Sequence, residues 1–279
     1  SSLVPPEPVL LSADYVNGTA PTVELQLIDA ATNQPVSQRF PVSSSTGEFS
    51  IIVSPQARSK SLLLVAAPSD PGAPVPTKRF ALPSPLPQAI SLEYGDFGQP
   101  GELSGVLLDS AGAPIAEAQV LLEGPVEGGG TFRSRLVNTE ADGSFKVTAI
   151  PSQVGEHFTL YMVPPRTSRA AATNLAVTAA WADGNFTLTP STVTLADRPR
   201  VSGRVLEPDG VTGAANVSIH AIAQDATGGS WLPLDEVDGV TAADGTFELP
   251  MDPGVWRFEF LPGIETPLSS RLVTIPAEG

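Results

Sequence analysis

The sequence contains no cysteine. Thiolate zinc sites, iron–sulfur clusters, disulfide scaffolds and cysteine nucleophiles are therefore excluded. Histidine is scarce as well, since only His157 and His220 occur, and both are expected at the ends of surface strands. A nucleophile with an adjacent base, or a metal held by imidazoles, would need these two distant residues to meet. We therefore expect no catalytic residue, no metal site and no cofactor.

Positive charge and long apolar runs are also sparse. The 279 residues include 15 Lys and Arg against 30 Asp and Glu, a net charge of −15. Nucleic acids and anionic membrane surfaces are bound by clustered basic residues, so neither is an expected partner. The longest apolar stretch, Leu62–Ala67, is far shorter than the roughly 18 residues of a transmembrane helix. Residues 1–8 lack the features of a signal peptide, so the sequence reads as a mature or trimmed product.

Turn formers and alternating apolar residues are abundant. The chain has 25 glycines and 29 prolines, and 41% of its residues are hydrophobic. Phe145 and Val147 alternate with polar residues, as do Trp256, Phe258 and Phe260. A period of two with one apolar side predicts half-buried strands, and no segment shows a helical stripe. The fold is therefore predicted to be all-β.

A repeat divides the chain. Leu103–Leu122 aligns with Val201–Ile219, and each segment is followed by an Ala-Asp-Gly-x-Phe motif, at Ala141 and at Ala243. A fainter copy begins at Val23. These spacings predict three units with boundaries in short polar linkers, at residues 1–96, 97–197 and 198–279.

Each unit is long enough for about seven short strands, which predicts three β-sandwiches in tandem. Asp142-Gly143 and Asp244-Gly245 are expected to form tight hairpin turns, because glycine adopts positive φ without strain. Seven prolines between Pro68 and Pro87 predict a loop or an edge strand in the first unit.

The motif pattern resembles the carboxypeptidase regulatory-like domain. The second unit matches it at Gly105, Gly112, Pro114, Ala118, Val120, Asp142, Gly143 and Phe145, and the third at Gly203, Gly210, Ala215, Val217, Asp244, Gly245, Phe247, Pro253, Gly254 and Trp256. The first unit departs from the pattern, with Thr46-Gly47 in place of Asp-Gly and no opening glycine. The resemblance implies a transthyretin-like or Ig-like Greek-key sandwich, present as a non-catalytic module of exported bacterial proteins.

These features predict a non-enzymatic structural or interaction protein of the bacterial cell envelope. The three units would form a rod that acts as scaffold, spacer or adhesion component, bound to protein partners of a surface assembly. The expected location is extracytoplasmic: periplasm, outer membrane or cell surface. A lipid-modified cysteine preceding Ser1 is a further hypothesis, which would make the protein a lipoprotein.

A carbohydrate-binding module is the alternative function, and it depends on two tryptophans. Trp231 follows a Gly-Gly-Ser segment and Trp181 precedes an Asp-Gly turn, where exposed rings could stack on sugars or anchor a protein partner. Packing over a sheet edge is the other interpretation of both. Trp256, in an alternating strand, is assigned to the core.

Acidic residues cluster in the third unit at Asp235, Glu236, Asp238 and Asp244. Oxygen-rich clusters of this kind can hold hard cations, although the run lacks the alternating order of a calcium loop. A solvated acidic loop is therefore the favoured interpretation, and a weak cation site is the alternative.

Overall fold

The computed structural model describes residues 7–14, 23–42, 48–53, 55–70, 73–84, 86, 89–93, 100–126, 130–150, 157–182, 185–224, 236–262 and 269–276. These residues form strands and one helical turn, α1 (Pro55–Arg58), which confirms the all-β class. In this described part of the chain no helix is long and apolar enough to span a membrane. The strands fall into three groups along the chain, called here the N-terminal, central and C-terminal sets.

The N-terminal set consists of β1 (Glu7–Asp14), β2 (Val23–Asp29), β3 (Phe40–Pro41), β4 (Glu48–Val53), β5 (Leu62–Pro68), β6 (Lys78–Ala81) and β7 (Ala89–Glu93). One sheet has the order β4-β1-β7, with β7 parallel to β1, and the other has the order β3-β2-β5-β6. β6, in the proline-rich stretch, lies at a sheet edge. Alternate residues of β2 and β5 are buried and build the core of this set.

The central set consists of β8 (Gly101–Leu108), β9 (Gln119–Pro125), β10 (Thr131–Arg133), β11 (Val137–Asn138), β12 (Ser144–Ala149), β13 (His157–Val163), β14 (Thr173–Ala182), β15 (Asn185–Thr189) and β16 (Thr192–Thr194). Its sheets have the orders β12-β8-β16 and β10-β9-β13-β14-β15, with β11 also on β9. As in the N-terminal set, the last strand runs parallel to the first.

The C-terminal set consists of β17 (Arg200–Arg204), β18 (Ser218–Gln224), β19 (Glu236–Val240), β20 (Thr246–Pro250), β21 (Gly254–Leu261) and β22 (Ser269–Ile275). Its sheets are β17-β20 and β19-β18-β21-β22. Among the described strands, no sheet combines members of two sets.

Facing sheets bury apolar residues between them, as in a β-sandwich. In the central set Leu103 and Leu107 of one sheet share a core with Phe158 and Leu160 of the other. In the C-terminal set Trp256 is 1% exposed and packs in a core that includes Leu249 of the opposite sheet. The alternation in the sequence and the core position of Trp256 are therefore confirmed.

The Asp-Gly motifs form the predicted tight turns, closed by hydrogen bonds such as that from the Gly143 N–H to the Glu140 carbonyl oxygen over 2.9 Å, but the strands on the two sides of each turn belong to different sheets. Gly143 and Gly245 have φ values of 77° and 81°. Each turn leads from a strand of one sheet into a strand of the opposite sheet. In the central set β11 pairs with β9 and β12 pairs with β8, and in the C-terminal set β19 pairs with β18 and β20 pairs with β17. The glycine carbonyl then accepts a hydrogen bond from the first strand, such as that from the Leu107 N–H over 2.9 Å. The motif therefore joins the two layers of the sandwich.

The glycine of the Ser-Gly motif and the phenylalanine of the Asp-Gly-x-Phe motif lie opposite each other. Gly105 pairs with Phe145 across β8 and β12, and Gly203 pairs with Phe247 across β17 and β20. A Cβ atom added at either glycine would lie 2.5 Å from the ring Cζ. The two motifs therefore encode one contact, in which the ring covers a backbone that has no side chain.

Candidate interaction surfaces and the joints between strand sets

A buried ion pair lies where the central set meets the C-terminal set. The Arg198 and Asp252 side chains are 3% and 2% exposed, and Arg198 Nε donates to Asp252 Oδ1 over 2.9 Å. The guanidinium also donates to the Pro164 carbonyl oxygen over 3.1 Å and to the Ser168 carbonyl oxygen. Charges removed from water need such complete hydrogen bonding to offset the loss of hydration.

Asp252 is bonded to further groups around this joint. Its Oδ1 accepts the Ala172 N–H over 2.7 Å, and its Oδ2 lies 3.4 Å from Arg166 Nη1. Its backbone carbonyl accepts the Trp256 Nε1–H over 2.9 Å, and the Arg166 guanidinium lies 5.7 Å from the Trp256 ring centre. One carboxylate of the C-terminal set thus bonds a backbone amide and a guanidinium of the central set, as well as Arg198.

This joint differs from the polar linker that the sequence predicted. The sequence predicts a short polar linker at Asp197–Pro199 and gives no sign that Arg198 meets Asp252. The only sign of a special role in the sequence is that Arg198 and Asp252 each stand beside a proline. Their contact depends on residues 54 positions apart and has no local signal.

A second ion pair covers the joint at the surface. Arg169 Nε and Nη2 donate to the two Asp197 carboxylate oxygens over 2.9 and 2.7 Å, and Ser110 Oγ donates to Oδ1 over 2.7 Å. The pKa of Asp197 is lowered to about 2. The hydrogen bond from Arg169 is the main cause, and the hydrogen bond from Ser110 is the second. Asp197 is therefore ionised over the whole physiological range.

The N-terminal and central sets are joined by backbone hydrogen bonds. Thr77 and Thr131 form an antiparallel bridge, with N–H···O distances of 2.8 and 2.9 Å. Arg135 Nη2 lies 3.1 Å from Asp70 Oδ2 beside it. A Cβ atom at Gly130 would lie 2.6 Å from the Thr77 carbonyl oxygen, so the close approach requires glycine there. The predicted linker around Asp96–Gly98 lies outside the described residues.

His220 lies among carboxylates of the C-terminal set. It stands within β18 rather than at a strand end, which corrects the sequence prediction. Its Nδ1 is 2.6 Å from Asp238 Oδ1, and its Nε2 is 3.7 Å from Glu236 Oε2. The hydrogen bond to Asp238 is the main cause that raises the pKa of His220 above its usual value, with support from Glu236 and Glu259.

The acidic cluster is only partly assembled around this histidine. Asp244 bonds its own turn, accepting the Thr246 N–H over 3.0 Å. Asp235 lies outside the described residues, so the choice between a solvated acidic loop and a weak cation site is not tested. Within the described part of the chain, no group of three or more His, Asp or Glu residues could hold a metal ion. His157 begins β13 and is exposed.

Of the two tryptophans of the carbohydrate hypothesis, only the backbone of Trp181 lies among the described residues. Trp181 lies on β14, where its backbone pairs with Phe186 of β15. Its side chain is not among those that the structure describes. Trp231 lies wholly outside the described residues. Both assignments, and the glycan partner that depends on them, stay predictions.

No family model matches the chain, and no curated protein matches it. Several solved structures are similar to it. One is a streptococcal ancillary pilin, with 13% identity over 96% of this chain and 95% of that chain and a TM-score of 0.32. Others are the minor pilin of Streptococcus agalactiae (13% identity, 69% of this chain and 96% of that chain, TM-score 0.35) and the major pilin subunit of Bacillus cereus (10% identity, 96% of this chain and 95% of that chain, TM-score 0.24). Similarity at these TM-scores does not transfer function to this chain. The carboxypeptidase regulatory-like assignment likewise stays a prediction.

Proposed function

We propose that this is a non-catalytic structural and interaction protein of the bacterial cell envelope, in which three sandwich units act as a scaffold, spacer or adhesion component. The units are residues 1–96, 97–197 and 198–279. Each sheet draws its strands from one of these ranges, and a separate core fills each pair of sheets. Repeated units in series are suited to holding partners of a surface assembly at a fixed spacing.

The buried Arg198–Asp252 pair carries this proposal. Units connected by a solvated linker reorient freely, and such a chain cannot keep a distance. Here the joint buries both side chains and bonds Asp252 to the Ala172 amide over 2.7 Å. Rotation about the joint would leave a carboxylate and a guanidinium unpaired in a dry environment, which favours one orientation.

Spin-label distances test the stiffness of the joint. Because the chain has no cysteine, labels can be attached to two introduced cysteines, Ser104→Cys on β8 and Thr274→Cys on β22, both exposed. We expect one narrow distance distribution by pulsed electron resonance, broadened by Arg198→Ala. Arg200→Ala is the matched control, since Arg200 is 76% exposed and pairs with Glu248. A broad distribution with Arg198 intact would contradict a spacer.

The envelope assignment is tested separately in native cells. We expect an antibody against the chain to detect it in the envelope fraction, and a pull-down from that fraction to recover a stoichiometric protein partner. Recovery of the chain only from the cytosol would refute the assignment, whatever the stiffness of the joint.

A further inference from the structure

The first and last strands of the central set lie side by side and run in the same direction. β16 pairs with β8 in a parallel register that extends from Val106–Thr192 to Leu108–Thr194. The chain arrives from the N-terminal set at the start of β8 and leaves for the C-terminal set at the end of β16. Because the two strands are parallel, the chain enters and leaves at opposite ends of this pair, which is called here the terminal pair.

Tension carried along the chain pulls the two strands of the terminal pair past each other along their length. A force in that direction loads all the hydrogen bonds of the pair together, whereas a force applied at one end breaks them one after another. Forced unfolding is governed by the rate at which the folded state opens, so simultaneous loading gives a longer lifetime under tension. The connectivity of the central set thus places the terminal pair in the more resistant of the two loading directions.

Backbone hydrogen bonds run along the whole terminal pair. The Val106 N–H donates to Ser191 O over 2.9 Å at one end, and the Leu195 N–H donates to Leu108 O over 2.8 Å at the other. Val193 pairs with β8 between these two bonds, with the even spacing of parallel strands. Sliding of one strand along the other therefore stretches all of these bonds at the same time.

Buried side chains of the same strands also oppose sliding. Val193 and Leu195 are 5% and 1% exposed, and they share a core with Leu107 of β8. Movement by one residue would turn both side chains to the opposite face of the sheet, which removes them from that core. Sliding therefore costs apolar burial in addition to hydrogen bonds.

Three polar side chains, called here the exit cluster, connect the two strands where the chain leaves the central set. Ser110 follows β8, and its Oγ donates over 2.7 Å to Oδ1 of Asp197, which follows β16. Arg169 donates to both Asp197 carboxylate oxygens and, over 3.2 Å, to Ser110 Oγ. The bonds to the carboxylate are charge-assisted, so the exit cluster opposes the same sliding motion at the surface.

The segment beyond β16 is bonded to a second part of the central set. The Ala171 N–H donates to Ala196 O over 2.8 Å, and the Arg198 N–H donates to Arg169 O over 2.7 Å. Load from the C-terminal set thus reaches β16 through a segment that is itself hydrogen-bonded on its other side.

The N-terminal set repeats the arrangement. β7 is parallel to β1 in a register that extends from Leu10–Ala89 to Asp14–Glu93. Two consecutive sets therefore have a parallel pair of first and last strands, each oriented so that tension along the chain acts in shear.

We propose that the chain carries tensile load, and that the terminal pair of the central set, together with the exit cluster, is the element that resists it. Load bearing goes beyond the spacer role, since a fixed orientation requires a stiff joint but no resistance to tension. It gives a mechanical reason for the parallel pairing of the first strand with the last.

The direction of pulling tests the proposal on the folded full chain. Because the chain has no cysteine, handles can be attached at introduced ones, and Glu102, Ala111 and Ala196 are all exposed. Glu102→Cys with Ala196→Cys pulls on opposite ends of the terminal pair, whereas Ala111→Cys with Ala196→Cys pulls on the same end. In optical tweezers at constant force, we expect the central set to stay folded about tenfold longer in the first geometry.

The two geometries share the handle at Ala196 and differ in the direction of load. Equal urea midpoints of the two double variants serve as the control that the substitutions themselves do not change stability. Equal lifetimes in the two geometries, or a shorter lifetime in the first, would overturn the proposal. Neither outcome depends on the spin-label distances at the Arg198 joint, so load bearing and the spacer role can fail separately.

The exit cluster is tested by Asp197→Ala in the first geometry. We expect the lifetime under force to fall severalfold, because the bonds from Ser110 and Arg169 are lost. Glu123→Ala is the matched control, since it removes the carboxylate of an ion pair with Arg133 on strands outside the terminal pair. A lifetime in Asp197→Ala equal to that of the control would remove the exit cluster from the load-bearing element. The comparison of pulling directions remains decisive if Asp197→Ala fails to fold.

Discussion

At the scale of single residues, the repeated motifs describe contacts across a sheet rather than isolated turn formers. Gly105 is conformationally ordinary, yet a Cβ there would meet Phe145 Cζ at 2.5 Å and Leu188 Cδ2 at 3.0 Å. A Cβ at Gly203 would lie at the same distance from Phe247 Cζ, but Phe247 is half-buried and its ring has room to move. The same motif therefore has different mechanical consequences in the two sets.

Gly105→Ala should lower the free energy of unfolding by about 1–3 kcal/mol, because the added methyl overpacks a buried ring. Gly203→Ala should cost less, since Phe247 can shift toward solvent. Urea denaturation of both variants measures the difference. Equal losses would show that ring burial does not set the cost, and recovery in Gly105→Ala with Phe145→Leu would identify the ring as its source.

His220 should make the stability of the C-terminal set depend on pH. Its pKa in the folded chain is raised above 6.5 by Asp238, so its contribution is fully present below pH 6.5 and is lost as pH rises through the folded value. The difference in melting temperature between the parent chain and Asp238→Asn should therefore shrink as pH increases. An NMR titration should also show a lower His220 pKa in Asp238→Asn. A pKa that is unchanged by this substitution would remove Asp238 as the cause.

At the scale of elements, a buried threonine ties a loop to a strand in two sets. Thr139 Oγ1 donates to Ile115 O over 2.6 Å and accepts the Ala118 N–H over 2.9 Å. Thr241 makes the same pair of bonds, to Ala214 O and from the Val217 N–H, over 2.6 and 3.0 Å. The hydroxyl takes the place of a backbone partner where the chain enters the second sheet.

Thr139→Val should cost about 1–3 kcal/mol of unfolding free energy, because it leaves a buried amide and carbonyl without a partner. Thr139→Ser keeps the hydroxyl and should recover most of the loss. Thermal and urea unfolding of the two variants provide the comparison. Similar losses in both would attribute the effect to the missing methyl group.

At the scale of the whole molecule, the Arg198 joint should couple the unfolding of two strand sets. Arg198→Ala leaves the buried Asp252 carboxylate short of a guanidinium partner, at a cost of about 3–5 kcal/mol. By calorimetry we expect the central and C-terminal sets to unfold together in the parent chain and separately in the variant. Arg200→Ala, at an exposed pair, should change the free energy of unfolding far less than Arg198→Ala does. Equal effects of the two substitutions would show that burial of the joint contributes nothing.

Much of the fold could be predicted because its signals are local. The alternation around Phe158 and Trp256 identifies strands with one buried face, and Gly143 and Gly245 mark turns with positive φ. The two-sheet architecture follows from the need to bury those faces. The partners of the Asp-Gly strands could not be predicted, since a turn motif does not specify whether the next strand joins the same sheet or the opposite one.

The sequence alone determined that the chain is all-β, since alternation and turn residues act within a few positions of each other. The tertiary structure decided the rest. Arg198 and Asp252 look like solvated charges beside prolines, and only the approach of two strand sets buries them together. Burial and pairing depend on residues far apart in the chain, whose contacts leave no periodic pattern in the sequence.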